Sequence, residues 1–452
     1  MTSQQSKYDL TTGGIVNKLL LVAVPVIGTQ LLQMSYNLTD MFWLGRLSSD
    51  AVAASGTGGL FMWLSMAFIM VGRMGAEIGV AQSLGRGDQA GAKRFAQNAL
   101  WLGLVLGVFY GIALIALCKP FIGFFHIPEA HVVRDAESYL RIVAMPMPFI
   151  FLGSVMVGTF VASGNSRTPF LVNACGLAAN MVLDPLMIFG LDMGIEGAAY
   201  ATAISQVISF SLMLFAFKRM KNRPFSQFTF FPRPDRETMR RILRWTVPIG
   251  LESMFFTLMG MTTTRFVAGF GADAMAVGRV GSQVESLTWL VGGGFGSALT
   301  AFMGQNFGAG RWTRIRKGFR VSLLVMSVYG LLITALMVFC AGFLFSIFLP
   351  DPDIIAMGVQ YLWITAMCQI PQCLETVSHN TFKGTGRTIP PSVVSLTSNI
   401  SRVVFAYFLS KTSLGLYGIW LGISLAAVIR GTWSLTWYLI AARKNPAADV
   451  AA

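Results

Sequence analysis

The stretch P-V-I-G-T-Q-L-L-Q-M-S-Y-N-L-T-D-M-F-W-L-G-R-L, from Pro25 to Leu47, holds one carboxylate, Asp40, in an otherwise uncharged run that ends at Arg46. With the apolar residues that follow Asn17 it is long enough to cross the hydrocarbon core of a bilayer as a helix, which takes about 20 residues. Similar runs recur from Lys18 to Ala441. Over the whole chain, hydrophobic residues make up 54% and charged residues 12%, with a mean hydropathy of +0.63. A length of 452 residues would suit about three soluble domains, but so little charge cannot coat them. Disordered, collagenous and disulfide-rich secreted classes are excluded as well. Only a helix satisfies its own backbone in lipid, and the runs lack the ten-residue alternation of a barrel. The pattern predicts an all-α integral membrane protein with twelve spans, at 17–45, 51–84, 94–118, 138–163, 168–190, 195–217, 241–270, 275–306, 319–345, 356–382, 388–410 and 415–441.

The 34 Lys and Arg outnumber the 20 Asp and Glu, giving a net charge of +14. The excess falls in short loops, which marks topology and not a nucleic-acid partner. One set of loops holds Lys7, Lys18, Arg86, Lys93, Arg94, Arg167, clusters at 218–244 and 311–320, Lys383, Arg387, Arg443 and Lys444. The other holds Arg46, Lys119, Arg134, Arg141 and Lys411. Both termini are therefore expected in the cytoplasm. The first 16 residues are polar and predict no cleavable signal peptide. Nine basic residues and three prolines between Lys218 and Arg244 read as a cytoplasmic linker. The expected organisation is a first lobe at 1–217, a linker at 218–240, a second lobe at 241–442 and a cytoplasmic tail at 443–452. Five cysteines, an odd number without C-x-x-C, point to neither a disulfide framework nor zinc.

The two lobes repeat. At an offset of 223, Pro25 meets Pro248, Asp50 meets Asp273, and Gln82, Gly85 and Gly87 meet Gln305, Gly308 and Gly310. Gly164, Arg167 and Thr168 meet Gly384, Arg387 and Thr388 at 220, and Gly194 and Gly197 meet Gly415 and Gly418 at 221. Six spans per lobe is an even number, so the repeats run parallel, about an axis along the membrane normal. A cavity between the lobes, opening alternately to the two sides, is the mechanism such a plan suggests.

No G-x-x-x-x-G-K-[ST] occurs, which argues against an ATP-driven pump. Gly292-Gly293-Gly294 reads as close helix packing, and His126, His131 and His379 lack metal-ligand spacing. His126 and His131 fall in an outer loop. Most of the Phe and Met are expected to face lipid or core, a few an adaptable cavity. The ionisable residues inside spans are the informative ones, because each is costly unless paired, hydrated or used. In the first lobe they are Asp40, Arg73, Glu77 and Asp184. Arg73 and Glu77 stand four apart and can neutralise each other. Asp184 follows Asn180 by four residues, on the same helix face. It lies six residues before the turn at Gly190–Gly194, and Thr202 lies eight after it. Both are thus roughly 9–12 Å from that turn at 1.5 Å per residue. Two carboxylates, an amide oxygen and a hydroxyl suit an alkali cation, or a proton. At the corresponding places the second lobe has Thr263 and Val404 or Phe405, none of them acidic. Its own charges are Glu252, Arg265, Arg279, Glu285, Glu375, Arg402 and Arg430. Arg265 and Arg279 are near helix ends and are expected to snorkel. Tyr36, Asn37, Glu252, Glu285, Glu375, Arg402 and Arg430 are candidates to line the substrate cavity.

Pro25 to Leu47 resembles the first helix of the multidrug and toxic compound extrusion (MATE) family. Q-S-L-G-R-G-D (Gln82 to Asp88), its counterpart Q-N-F-G-A-G-R, and the loops G-N-S-R-T-P and G-T-G-R-T are similar to family loops. The likeness covers nearly the whole chain. It implies a V-shaped pair of six-helix lobes, and an exporter that exchanges Na⁺ or H⁺ for small organic compounds without an enzymatic step or a cofactor. It also implies a multi-pass protein of the inner or plasma membrane, acting as a monomer. In the archaeal and DinF-like branch, an aspartate of helix one, an asparagine and aspartate of helix five and a threonine of helix six form the cation site. Asp40, Asn180, Asp184 and Thr202 match that pattern. The second-lobe acids of the NorM branch fall here on Phe256 and Gln372, with Glu252 and Glu375 one turn away. A flippase of lipid-linked oligosaccharides shares this architecture, but calls for a cavity with basic residues from both lobes. An intramembrane enzyme would need a nucleophile–base set or metal motif at depth.

Overall fold

A computed structural model of the chain describes residues 8–127, 129–219 and 228–443. Residues 220–227 of the expected linker and 444–452 of the expected tail lie outside the described residues. The fold is helical throughout. Its first half comprises α1 (Ile15–Leu47), α2 (Ser49–Gly85), α3 (Gln89–Ala116), α4 in two pieces (Ala130–Ala144 and Met147–Ala162), α5 (Arg167–Pro185) and α6 (Gly194–Arg219). Its second half comprises α7 (Arg236–Ala268), α8 (Ala272–Gly308), α9 (Trp312–Phe339), α10 in two pieces (Pro352–Ala366 and Gln369–Gly384), α11 (Ile389–Ser410) and α12 (Leu416–Arg443).

Among the described residues, ten helices are long and apolar enough to cross a membrane, or eleven if the two pieces of α4 form one span. The remaining expected span is α7. It opens with Arg236, Glu237, Arg240, Arg241 and Arg244 and carries Glu252 and Arg265 further on. It packs between α2 and α11; the charges of its first turns and Arg265 near its end are exposed, and Glu252 is the one partly buried.

Two expected spans are not single rods. The helix expected at 138–163 starts earlier and bends by 48° between its pieces. Pro146 causes the break, since it supplies no N–H to the carbonyl of Ile142, which accepts instead from Met145 N in a tighter turn at 3.2 Å. The longer outer piece takes His131 out of the expected loop and pairs its Nε2 with Asp50 at 2.8 Å. The span expected at 356–382 is likewise interrupted at Met367 and Cys368, just before Pro371.

The turns follow from side-chain chemistry. Ser48 is extended and its Oγ accepts from Ala51 N at 2.9 Å, which lets α2 start directly after α1. Gly87 and Gly310 take φ values of +76° and +67° after α2 and α8, a region that glycine enters without strain. Gly164 and Gly386 share φ values of +81° and +79°. The structural counterpart of Gly164 is therefore Gly386, not Gly384: the second loop is two residues shorter between this glycine and its arginine.

The duplication is visible in packing. In the first half α1 packs on α5, α5 on α6, α2 on α3, α3 and α2 on α4, and α4 on α6. The second half repeats each pairing: α7 on α11, α11 on α12, α8 on α9, α9 and α8 on α10, and α10 on α12. One pair of sites has exchanged sizes. Phe95 fills the space over Gly79, while 223 residues on Phe302 fills the space over Gly318.

The halves meet through α1 with α8, α2 with α7, and α2 with α8. Gly85 rests on the carbonyl of Gln305, and Gly308 on that of Gln82. Gln82 Nε2 donates to Gly384 O at 3.0 Å and Gln305 Nε2 to Ala162 O at 2.7 Å. The chain just before α1 straps across the same end. Leu10 N donates to Gln305 Oε1 at 3.0 Å, and Arg314 donates to the carbonyls of Leu10, Thr12 and Gly13. Of the expected linker, the described part folds back on α3, where Gln97 Nε2 donates to Thr229 O and Trp101 Nε1 to Pro232 O, both at 2.6 Å.

A Cβ at Gly308 would strike backbone, which cannot rotate away. Gly308→Ala should cost about 1–3 kcal/mol by overpacking and lower the melting midpoint in detergent. Gly278→Ala, in the same helix with nothing within 4 Å of its added carbon, should leave the midpoint unchanged.

Candidate functional site

The first candidate lies inside the first half. Asn180 and Asp184, one turn apart on α5, are both fully buried, and Asn180 Nδ2 donates to Asp184 Oδ1 at 2.9 Å. The α-helical path ends at Pro185 and widens into a π turn, Leu186–Gly190. Pro185 has no N–H, so the carbonyl of Met181 loses its usual partner and the tighter helix cannot continue unchanged. Gly197 brings the start of α6 onto the backbone of Met187. Gly176 gives the same close approach to Ser209 at the other end. Between these two contacts Thr202 of α6 is set against α5, and α1 adds Tyr36 and Asp40, four residues apart on one face.

Five oxygens at this junction are buried and have no hydrogen-bond partner in the protein: Tyr36 Oη, Asp40 Oδ1, Asn180 Oδ1, Asp184 Oδ2 and Thr202 Oγ1. The charges of Asp40 and Asp184 act on each other. Leaving such groups unpaired costs about 1–3 kcal/mol each, more when charged. A small cation surrounded by these oxygens, or a proton shared by the carboxyls, satisfies them and relieves the repulsion. The four residues expected from sequence as cation ligands are thus together, and Tyr36, expected on the substrate cavity, joins them. Tyr139 of α4, which sequence reasoning missed, is buried within electrostatic reach of the same two carboxylates. From Tyr36 a small cavity of about 40 Å³ runs along α1 past Gln33 and Thr29, with Asn173, Ser205 and Gln206 opposite.

The second candidate is a cavity of about 330 Å³ between the halves. Its charged lining is Arg73, Glu77, Glu252, Glu375, Lys383 and Arg430, three acids and three bases. They are arranged in pairs: Arg73 Nε to Glu77 Oε2 at 3.8 Å, Lys383 Nζ to Glu252 Oε2 at 3.8 Å, and Arg430 Nε to Glu375 Oε2 at 2.7 Å. Ser297 of the second half donates to Glu77 at 2.9 Å, and Ser395 to Glu252 at 2.9 Å. Met70, Met74 and Trp289 supply apolar surface. Of the three glycines of α8 read as close packing, Gly294 lies on the backbone of Ile27, whereas Gly292 and Gly293 line the cavity.

Glu252, Glu375 and Arg430 therefore line this cavity as the sequence suggested. Glu285 and Arg402 do not. Glu285 accepts from Tyr361 Oη at 2.6 Å, and Arg402 Nη2 donates to Thr263 Oγ1 at 3.2 Å, because their positions on α8 and α11 point into the second half. Asn37 is exposed on α1. The expected Arg73–Glu77 pair exists, but it also faces the cavity. Lys383, read as a loop charge, sits in the last turn of α10 and reaches Glu252 across a distance no local pattern reveals.

If Arg430 chiefly neutralises Glu375, removing one partner should harm more than removing both. Arg430→Met should lower the thermal midpoint further than Glu375→Gln combined with Arg430→Met. A double variant less stable than the single would contradict the pairing.

The model of the MatE family matches residues 25–186 and again 248–408, the two halves of the repeat. A probable multidrug resistance protein NorM of Thermotoga maritima is 27% identical over 440 residues, covering 94% of this chain and 92% of that protein. The probable multidrug resistance protein YpnP of Bacillus subtilis is 28% identical over 436 residues, covering 95% and 96%. A crystal structure described as MATE in the bent conformation superposes with a TM-score of 0.90 at 21% identity, covering 97% of each chain.

Proposed function

Since this chain belongs to the MatE family, we propose that it is a secondary-active exporter that moves small organic compounds across the membrane in exchange for Na⁺ or H⁺, most akin to the archaeal and DinF-like branch. The observation that carries the coupling is the junction of α1, α5 and α6, where five buried oxygens, two of them on carboxylates, lack partners in the protein. Asp40 and Asp184 supply the charge that attracts the cation. Asn180 and Thr202 complete its shell, and Tyr36 closes the side toward the middle of α1. The relatives' description as multidrug resistance proteins supports an organic cargo. So does the central cavity, where Met and Trp surfaces alternate with both signs of charge. Its zero net charge favours amphoteric or neutral compounds over simple organic cations.

A flippase of lipid-linked oligosaccharides fits less well. Bases do enter the cavity from both halves, Arg73 from one and Lys383 and Arg430 from the other, but each is matched by an acid and leaves no positive surplus for a pyrophosphate.

Alternating access requires the contact at Gln82 and Gln305 to open when the opposite end closes. In this reading the first lobe spans 1–217 and the second 241–442, both termini face the cytoplasm, and the strap at Leu10–Gly13 guards the cytoplasmic end. α1 links ion to cargo. It passes through Pro25, whose missing N–H frees the carbonyl of Leu21; Ser166 Oγ donates to that carbonyl at 3.3 Å and Thr29 Oγ1 to Pro25 O at 3.0 Å. Such a proline is a natural bending point, and a similar structure is described as bent. Loading Asp40 changes the charge of α1 about four turns beyond Pro25, and α1 also contributes Gln30 to the cavity. Coupling follows if cation and cargo prefer opposite-facing states.

Asp40→Asn and Asp184→Asn should each reduce gradient-driven uptake of a fluorescent substrate by inverted vesicles to that of vesicles without the protein, at equal protein level. Sodium and pH gradients imposed separately identify the ion. Normal uptake by both variants would contradict the proposal.

A further inference from the structure

The second half has lost the acids of the first, and a different charge stands where they would be. Thr263 occupies the place of Asp40 at the offset of 223. Tyr361 occupies that of Tyr139 at 222, and the scaffold around them is preserved: Tyr139 packs on the bare backbone of Gly58, and Tyr361 on that of Gly281. Tyr139 lies within electrostatic reach of the carboxylates of Asp40 and Asp184. In the second half the group facing these counterparts is the guanidinium of Arg402. Its Nη2 donates to Thr263 Oγ1 at 3.2 Å, it lies within electrostatic reach of Tyr361 and Glu285, and its carbon is 6.0 Å from the ring centre of Phe256. Glu285, which accepts from Tyr361 at 2.6 Å, stands where the first half has Met62. The first pocket thus brings two carboxylates and no fixed base. The second brings one carboxylate and one base that never leaves.

We propose that Arg402 is a tethered cation, whose guanidinium takes in the second half the position that the exchanged cation takes in the first. This rests on the assignment of the first-half junction as the ion site and adds a consequence for the whole molecule. Only the first half takes up an ion, so each turnover binds a single exchangeable charge, while the second half is held permanently in its charge-satisfied form. A guanidinium suits that role because it stays protonated under all working conditions and offers several donors in one plane. The pocket also keeps the means to accept a mobile ion once the tether is cut. Besides Glu285, Thr263 and Tyr361, the buried Ser398 and Asn399, about one turn before Arg402 on α11, carry polar atoms with no partner in the protein.

The test counts ions on purified protein, as bound ²²Na⁺ at saturation plus protons taken up in unbuffered solution. The unaltered protein should bind about one equivalent, and Asp184→Asn should abolish it. Arg402→Met should bind about two, Asp184→Asn with Arg402→Met about one, and Glu285→Gln with Arg402→Met about one again. A count for Arg402→Met equal to that of the unaltered protein overturns the tethered cation and leaves the first-half site standing. A count indifferent to Asp184→Asn overturns the first-half site instead. Should Arg402→Met fail to purify as a monodisperse protein, Glu285→Gln alone decides. Retention of about one equivalent supports the proposal, and an unaltered count of about two that falls with Glu285→Gln overturns it.

Discussion

Two aspartates share one pocket with buried oxygens and repel each other, and the packing around them has to hold them together. Asp40 and Asp184 come from helices far apart in sequence, so their proximity has to be enforced by packing. The π turn after Pro185, the glycine contacts of α5 with α6, and Asn180 bound to Asp184 all hold the acids in place while leaving oxygens without partners. In the proposed function such a pocket calls for a positive guest, and the gradient across the membrane would then act as a bias on α1, the helix that reaches from the pocket to the central cavity.

The duplicated scaffold explains how this bias reaches the other half. Both halves use the same helix pairings, and they cross at reciprocal contacts of Gly85 with Gln305 and Gly308 with Gln82. At these contacts backbone meets backbone, which leaves no side chain to give way between the halves. The exchange of Phe95 over Gly79 for Phe302 over Gly318 shows that the two halves keep a common shape while their side chains diverge. Charge has diverged in the same way. Acids dominate the inner pocket of the first half, balanced pairs line the shared cavity, and the second half sets an arginine within electrostatic reach of an acid.

The helical fold was legible because lipid leaves the backbone no other choice, and the repeat because turn glycines and the Gln82 and Gln305 motifs must recur for the halves to meet. The cluster of Asp40, Asn180, Asp184 and Thr202 was legible for a local reason. Asn180 and Asp184 share a face, and the Gly190–Gly194 turn returns the chain so that Thr202 lies at similar depth. Asp40 stood out as the sole acid of its span. Tyr139 was not legible, since it arrives from α4 across a bend at Pro146 that span counting smooths over. Lys383 looked like a loop charge because the end of α10 could not be placed within a turn. Glu285 and Arg402 were assigned to the cavity on depth alone, and depth does not say which way a helix face turns. The match of Gly164 with Gly384 failed for a similar reason: both sequences offer a glycine, but only Gly386 has the left-handed backbone that ends the helix.

The most direct test of the ion site is a density map fine enough to resolve bound ions, collected once in high sodium and once at low pH without sodium. The account predicts either an ion ringed by Asp40, Asn180, Asp184 and Thr202 in the first map, or the two carboxyl groups drawn into contact over a shared proton in the second. Both maps showing these side chains turned apart, or open to bulk solvent, would contradict it.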